Sequence, residues 1–195
     1  MAALITREQD GIMRLGIALP QFGPFAAPRA IPGFAAEVES LGYDSVWVGE
    51  RVHAPSQPLS RYPSDSGVMP EEFRRGVDPL LALTVAATAT TRVRLGSSTL
   101  SAPLRPALLL ARSLTGIDVL SGGRLNVGLG LSWSRDEYDA VGVPWEQRGA
   151  RLDETLDVLR AVWSVDPVEH RGRFARVSSG EVQPKPVLRT QPIYL

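Results

Sequence analysis

The sequence predicts an α/β fold built on parallel strands, and three observations carry the prediction. Short β-rich runs alternate with longer helical patterns, the β-rich runs are apolar almost throughout, and glycine or proline punctuates most joins. Parallel strands need crossover connections, and strands covered on both faces lose the alternation of a half-exposed sheet.

The elements follow in order. RLGIAL (Arg14 to Leu19) is a buried strand ended by Pro20. Pro28 to Gly42 then sets Ile31, Phe34, Ala35, Val38 and Leu41 at helical spacing, with Gly42 as the stop. DSVWVG (Asp44 to Gly49) is the second strand, and Val77 to Thr91 is an apolar helix with a proline near its start. Arg92 to Leu100 makes a third strand and Arg105 to Leu120 a third helix closed by SGG. Arg124 to Leu131 is the fourth strand, and Arg148 to Ser164 is a fourth helix with Leu152, Leu156, Leu159 and Trp163 on one face. The stretch from about 165 to 191 is polar, with Gly172, Gly180 and three prolines, and reads as a surface hairpin or loop insertion before QPIYL opens a fifth strand. Residues 1–13 read as an N-terminal extension and 14–195 as one unit. A doubly wound sheet of five strands could end here, whereas a (β/α)8 barrel needs roughly 250 residues, so in 195 residues a barrel of this pattern is incomplete, with about four βα units. Its open strand edges favour self-association, whether as an enzyme or as a non-catalytic half-barrel, and a homodimer is the expectation.

Composition narrows the chemistry. Lys plus Arg and Asp plus Glu each number 21, which gives no bulk field for nucleic acid or an anionic membrane. The absence of cysteine removes thiol chemistry and suits a cytoplasmic protein, and the N-terminus lacks a signal-peptide core. His53 and His170 are the two histidines, too few for a multi-histidine metal site, so no metal is expected. No P-loop, HExxH or Ser-His-Asp order is readable. DVLSGGRLNVGLGLSW (Asp118 to Trp133) is glycine-rich, but Trp133 occupies the third position of a G-x-G-x-x-G dinucleotide loop.

Ligands of parallel α/β folds gather at the carboxyl ends of the strands. Those ends present Pro20, Gln21, Phe22 and Gly23; Gly49, Glu50, Arg51 and His53; Ser97, Ser98 and Thr99; and Gly130, Leu131, Ser132 and Trp133. The mixture of hydroxyls, small residues, one carboxylate, one guanidinium and one indole suits a flat polar ring across the mouth. Gly128 and Gly130 either let that ring approach the backbone or relieve packing at a corner. Strand alternation sends one of Glu50 and Arg51 inward and the other outward, unless the two form a peripheral salt bridge. His53 is a proton relay or a surface residue, and His170 is solvated. Trp133 stacks on a cofactor or caps the barrel. Arg148 and Arg151, at a helix start, bind an acidic group or pair with Asp153 or Glu154.

LGIALPQFG, LGYDSVWVGERVHAP, the run from TRVRLGSSTLSAPLRP through LSGGRLNVGLGLSW to RLDETLDVLRAVW, and QPIYL together resemble the luciferase-like monooxygenase superfamily, nearest its coenzyme F420-dependent oxidoreductases. The resemblance implies a (β/α)8 barrel holding a deazaflavin, or alternatively FMN, with its ring over the strand ends and a small organic substrate beside it. It implies hydride transfer with F420, or oxygen activation with reduced FMN. It places a non-prolyl cis peptide at Ser98 and Thr99 and implies cofactor contacts from Gln21, Ser97, Ser98, Thr99, Gly130, Ser132 and Trp133. Glu50 and Arg51 fall where several F420 enzymes carry an acid followed by a catalytic histidine, with His53 and Arg148 as substrate-side candidates. Arginine stays protonated, so Arg51 stabilises negative charge rather than acting as a base. Sugar-phosphate-oxidising relatives carry a glutamate where this chain has Trp133, a second departure that leaves the substrate class open.

Overall fold

The computed structural model describes residues 3–7, 13–188 and 191–195. Its central sheet runs β1 (Ala3–Arg7), β2 (Met13–Ala18), β3 (Ser45–Val48), β4 (Arg94–Ser97) and β6 (Leu125–Gly130) as successive neighbours. β5 (Leu100–Ser101) continues the line of β4 along β6, and β9 (Ile193–Tyr194) pairs with β6. All these pairings are parallel except β1 with β2, which is antiparallel. The result is a partial barrel with no closed ring of strands. The strand β1 lies inside the segment expected to be only an extension.

Helices α1 (Ile31–Ser40), α2 (Pro79–Ala89), α3 (Ala107–Ser121) and α5 (Arg148–Trp163) pack in that order against one face of the sheet. Alternation assigns the faces: Ile17, Val46, Val48, Leu95, Leu125, Val127 and Leu129 join the buried core with the helices. The opposite face carries Trp47, whose indole lies across two glycines. A methyl group at Gly16 would meet Trp47 Nε1 at 2.5 Å, and one at Gly96 would meet its Cε3 at 2.3 Å. Arg94 reaches the Asn126 side-chain oxygen on the same face at 2.6 Å.

Local chemistry sets the helix ends. The Asp78 carboxylate accepts from the Leu80 and Leu81 amides, and Pro79 opens α2. Gly122, at φ 68°, closes α3 in the left-handed region that favours glycine. Arg124 then ties the joins together, donating to the carbonyls of Ala87, Thr90, Val93 and Ser121. Glu39 does the same from α1, accepting from the amides of Thr91, Arg92 and Val93. Partial burial opposes its ionisation, but those hydrogen bonds win and hold Glu39 at about 2.

The polar segment after α5 forms a hairpin of β7 (Val168–Arg171) and β8 (Arg176–Gly180). His170 is not solvated as expected. Its side chain is half-buried, 3.5 Å from Glu154, whose carboxylate also receives the Arg173, Phe174 and Ala175 amides of the hairpin turn. A short helix α4 (Arg135–Ala140), absent from the sequence reading, follows β6.

Candidate functional site

The carboxyl ends of β3, β4, β5 and β6 surround a cavity of about 180 Å³. Ser98 and Thr99, joined by a cis peptide, lie between β4 and β5, and both are exposed at the cavity. Gly49, Ser101 and Ser132 complete its small polar lining, and Phe22, Tyr62, Phe73 and Trp133 form its aromatic side. Ser132 is held at φ 60°, an uncommon conformation for a residue with a side chain.

Glu50 and Arg51 both line this cavity, so the inward–outward expectation fails. The reason is local: β3 ends at Val48, and strand alternation does not govern the residues beyond it. The Glu50 carboxylate, 1% exposed, accepts from the Ser101 amide and from Arg105 Nη2 at 2.5 Å. Burial works against the charge of Arg105, but the Glu50 and Asp78 carboxylates outweigh it and raise its pKa. Arg51 turns the other way and makes a two-pronged ion pair with Glu137, its Nε at 2.7 Å from Oε1 and its Nη2 on Oε2. A second hollow of about 440 Å³ shares Glu50 and Arg51 and opens toward Asp78, Arg105 and Val141.

Glu137 is the residue the sequence reading missed. It is fully buried on α4 and also accepts from the Val52 amide at 2.7 Å, the His53 amide at 3.2 Å and the Ser132 hydroxyl at 2.7 Å. One carboxylate thereby fixes the loop after β3 to the turn after β6. Next to it, burial pushes the Tyr138 phenol up to about 12, with Arg148 pulling down and Glu137 adding to the rise. Its hydroxyl donates to the Leu131 carbonyl.

The remaining candidates divide. Trp133 lines the cavity with the Arg51 guanidinium 4.9 Å over its ring, and Ser132 lies beside it. Gln21 is buried behind the mouth, where its amide bridges Gly49 and the Val77 carbonyl. Ser97 is also buried, and its hydroxyl exchanges hydrogen bonds with the Gly128 backbone. Gly128 makes room for the backbone of β4, and Gly130 for the Thr99 side chain at the mouth. A methyl group at Gly128 would fall 2.0 Å from the Ser97 carbonyl oxygen, and one at Gly130 would fall 2.5 Å from Thr99 Oγ1. His53 is exposed and touches the site through its amide. Arg148 lies outside the cavity lining, its guanidinium 4.0 Å over Trp145. Arg151 pairs with neither Asp153 nor Glu154. It donates to Gln147 and stacks on Phe174.

A protein-family model described as luciferase-like monooxygenase matches residues 7–195. An uncharacterized protein of Mycobacterium tuberculosis strain H37Rv is 32% identical over 173 residues, 87% of this chain and 61% of that protein. An FMNH2-dependent dimethylsulfone monooxygenase of Pseudomonas fluorescens is 35% identical over 106 residues, 53% of this chain and 29% of that protein. Among solved structures, the monooxygenase RslO1 of Streptomyces bottropensis superposes with a TM-score of 0.74 at 27% identity, over 91% of this chain and 51% of that one. The coenzyme F420-dependent tetrahydromethanopterin reductase of Methanopyrus kandleri superposes with a TM-score of 0.63 at 20% identity, over 88% of this chain and 46% of that one. The chain thus spans 61% of the length of the mycobacterial relative and about half that of the solved structures. No described helix is long and apolar enough to cross a membrane.

Proposed function

The chain belongs to the luciferase-like monooxygenase family, and on that premise we propose that its strand-end cavity holds the ring of a flavin-type cofactor for oxidation or reduction of a small organic substrate. The observation that carries the proposal is the pair of exposed hydroxyl residues, Ser98 and Thr99, at the mouth beside Gly49 and Ser132. The cavity's 180 Å³ is below the ~300 Å³ of a whole-ligand pocket, so it fits a ring end and leaves a tail outside.

Coenzyme F420 is our first choice of cofactor, and it would supply a ring carbon that accepts or donates hydride. Ser98 and Thr99 would orient the ring from below, and Trp133 would bound it at the side. Arg51, its Nε–Nη2 edge held by Glu137, would offer its remaining N–H donors to a ring or substrate oxygen on which negative charge develops. Glu50 would act at one remove, holding the Ser101 amide and Arg105. FMN is the second reading, favoured by the identity to a protein named as FMNH2-dependent over 53% of this chain. Equilibrium dialysis of the purified chain against F420 and FMN, each oxidised and reduced, tests both. Preferential retention of F420 supports hydride transfer, preferential retention of reduced FMN supports the second reading, and retention of neither overturns the proposal.

A further inference from the structure

Resting on the proposed function, we infer that the aromatic side of the mouth, beside the seat of the cofactor ring, takes an uncharged, flat, ring-bearing substrate and rejects phosphorylated or carboxylated ones. Two independent observations converge on this.

The first is a continuous aromatic wall. Phe22 meets Phe73 edge-on at 5.0 Å between centroids, Tyr62 lies 6.0 Å from Phe73, and Tyr62 meets Trp133 edge-on at 5.2 Å. The wall is built in: methyl groups at Gly49 and Gly76 would lie 3.3 Å and 2.8 Å from the Phe22 ring, so both positions leave space for it. Edge-to-face arrays of this kind favour another ring over a flexible or hydrated group.

The second is charge. The charged side chains lining the cavity are Glu50 and Arg51, and each is neutralised from behind, by Arg105 and by Glu137. An anionic substrate group is held best by two parallel donors, and the Nε–Nη2 edge of Arg51 is already closed on a carboxylate. A cationic group fares no better, because the guanidinium of Arg51 already lies over the Trp133 ring that would attract it. What remains on this side is apolar ring surface with the Tyr62 and Ser132 hydroxyls, which suit a neutral ring carrying a carbonyl or hydroxyl.

The test is equilibrium dialysis of the chain, with and without FMN, against 2-naphthol, 2-naphthoate and glucose 6-phosphate at pH 7. 2-Naphthol is expected to bind at least about ten-fold more tightly than either anion. Phe73→Ala and Tyr62→Ala, in a connecting loop outside the core, are each expected to weaken it about three- to ten-fold while the thermal midpoint holds. Equal or tighter binding of an anion, or unchanged 2-naphthol affinity in both variants, overturns the inference. F420 and FMN retention, measured in parallel, separates the two readings. Retained cofactor with no preference for 2-naphthol sinks this inference alone, whereas 2-naphthol selectivity without cofactor retention sinks the proposed function and leaves the wall standing.

Discussion

Replacing Glu137 by Gln removes the charge of the one buried carboxylate on which the loop after β3 and the turn after β6 converge. The carboxylate accepts five hydrogen bonds, from two atoms of Arg51, the Val52 and His53 amides and the Ser132 hydroxyl. Glutamine keeps the shape but offers one acceptor oxygen and turns an NH2 group toward donors. Arg51, with a side chain 8% exposed, would lose its counter-charge. Breaking a buried pair from one side costs ~3–5 kcal/mol, and the retained acceptor places Glu137→Gln near the lower end, at ~3 kcal/mol. For a chain of this size that is a fall of ~6–12 °C in thermal midpoint. Circular dichroism melts give the global value, and hydrogen exchange at the Val52 and His53 amides reports the loop directly. The double variant Arg51→Met/Glu137→Gln decides the cause. Removing both charges is expected to restore part of the loss, because the penalty is an uncompensated guanidinium rather than a missing attraction. A loss under about 0.5 kcal/mol with unchanged exchange, or strictly additive losses in the double variant, would refute the reasoning.

Glu39 gives a pH dependence with a definite sign. Its folded-state pKa is depressed to about 2, so its contribution is present above the unfolded value near 4.5 and is lost as pH falls toward 2. Solvent screening at this partly exposed carboxylate brings the contribution to about 1–2 kcal/mol. The stability difference between wild type and Glu39→Gln in urea is expected to shrink across that window, and a gap that persists at pH 2 contradicts it. Gly128→Ala is expected to cost at least ~2 kcal/mol, since the added methyl group meets a backbone carbonyl. Gly116→Ala, in α3 with open space around it, is expected to stabilise by ~0.5–1 kcal/mol, and thermal melts compare the two. Arg51→Ala is expected to lower turnover more than cofactor affinity. Equal losses in steady-state kinetics and in dialysis would place Arg51 in ground-state binding instead.

The helices and parallel strands were legible because periodicity and punctuation are local signals. α1, α2, α3 and α5 lie within a few residues of their expected bounds, and QPIYL does place a fifth strand in the sheet. α4 was not legible, since RDEYDA has no apolar period, although Asp136 and Glu137 in its first turn were the signal available. Glu137 was hidden for a different reason: the loop it clamps after β3 lies 84 to 86 positions away, and no local pattern encodes that pairing. Tyr62 and Phe73 stand in a polar connecting segment, and a large aromatic there was itself the clue. The glycines of β6 stayed open to two readings because spacing shows that a side chain is missing without showing what fills the space. The Ser97 carbonyl of the neighbouring strand fills it at Gly128, and the Thr99 side chain fills it at Gly130.

The segment that supplies Tyr62 and Phe73 to the aromatic wall is tied down toward its two ends. Leu59 and Ser60 are hydrogen-bonded to Asp136 and Arg135 at the start of α4, and Gly76 bridges to Phe22. Between these anchors, residues 61–70 touch little of the sheet's buried interior. This stretch is therefore a replaceable cover: its length and sequence can change without disturbing the strands below. Selectivity for what enters the mouth can drift, or be re-engineered, independently of the machinery beneath it.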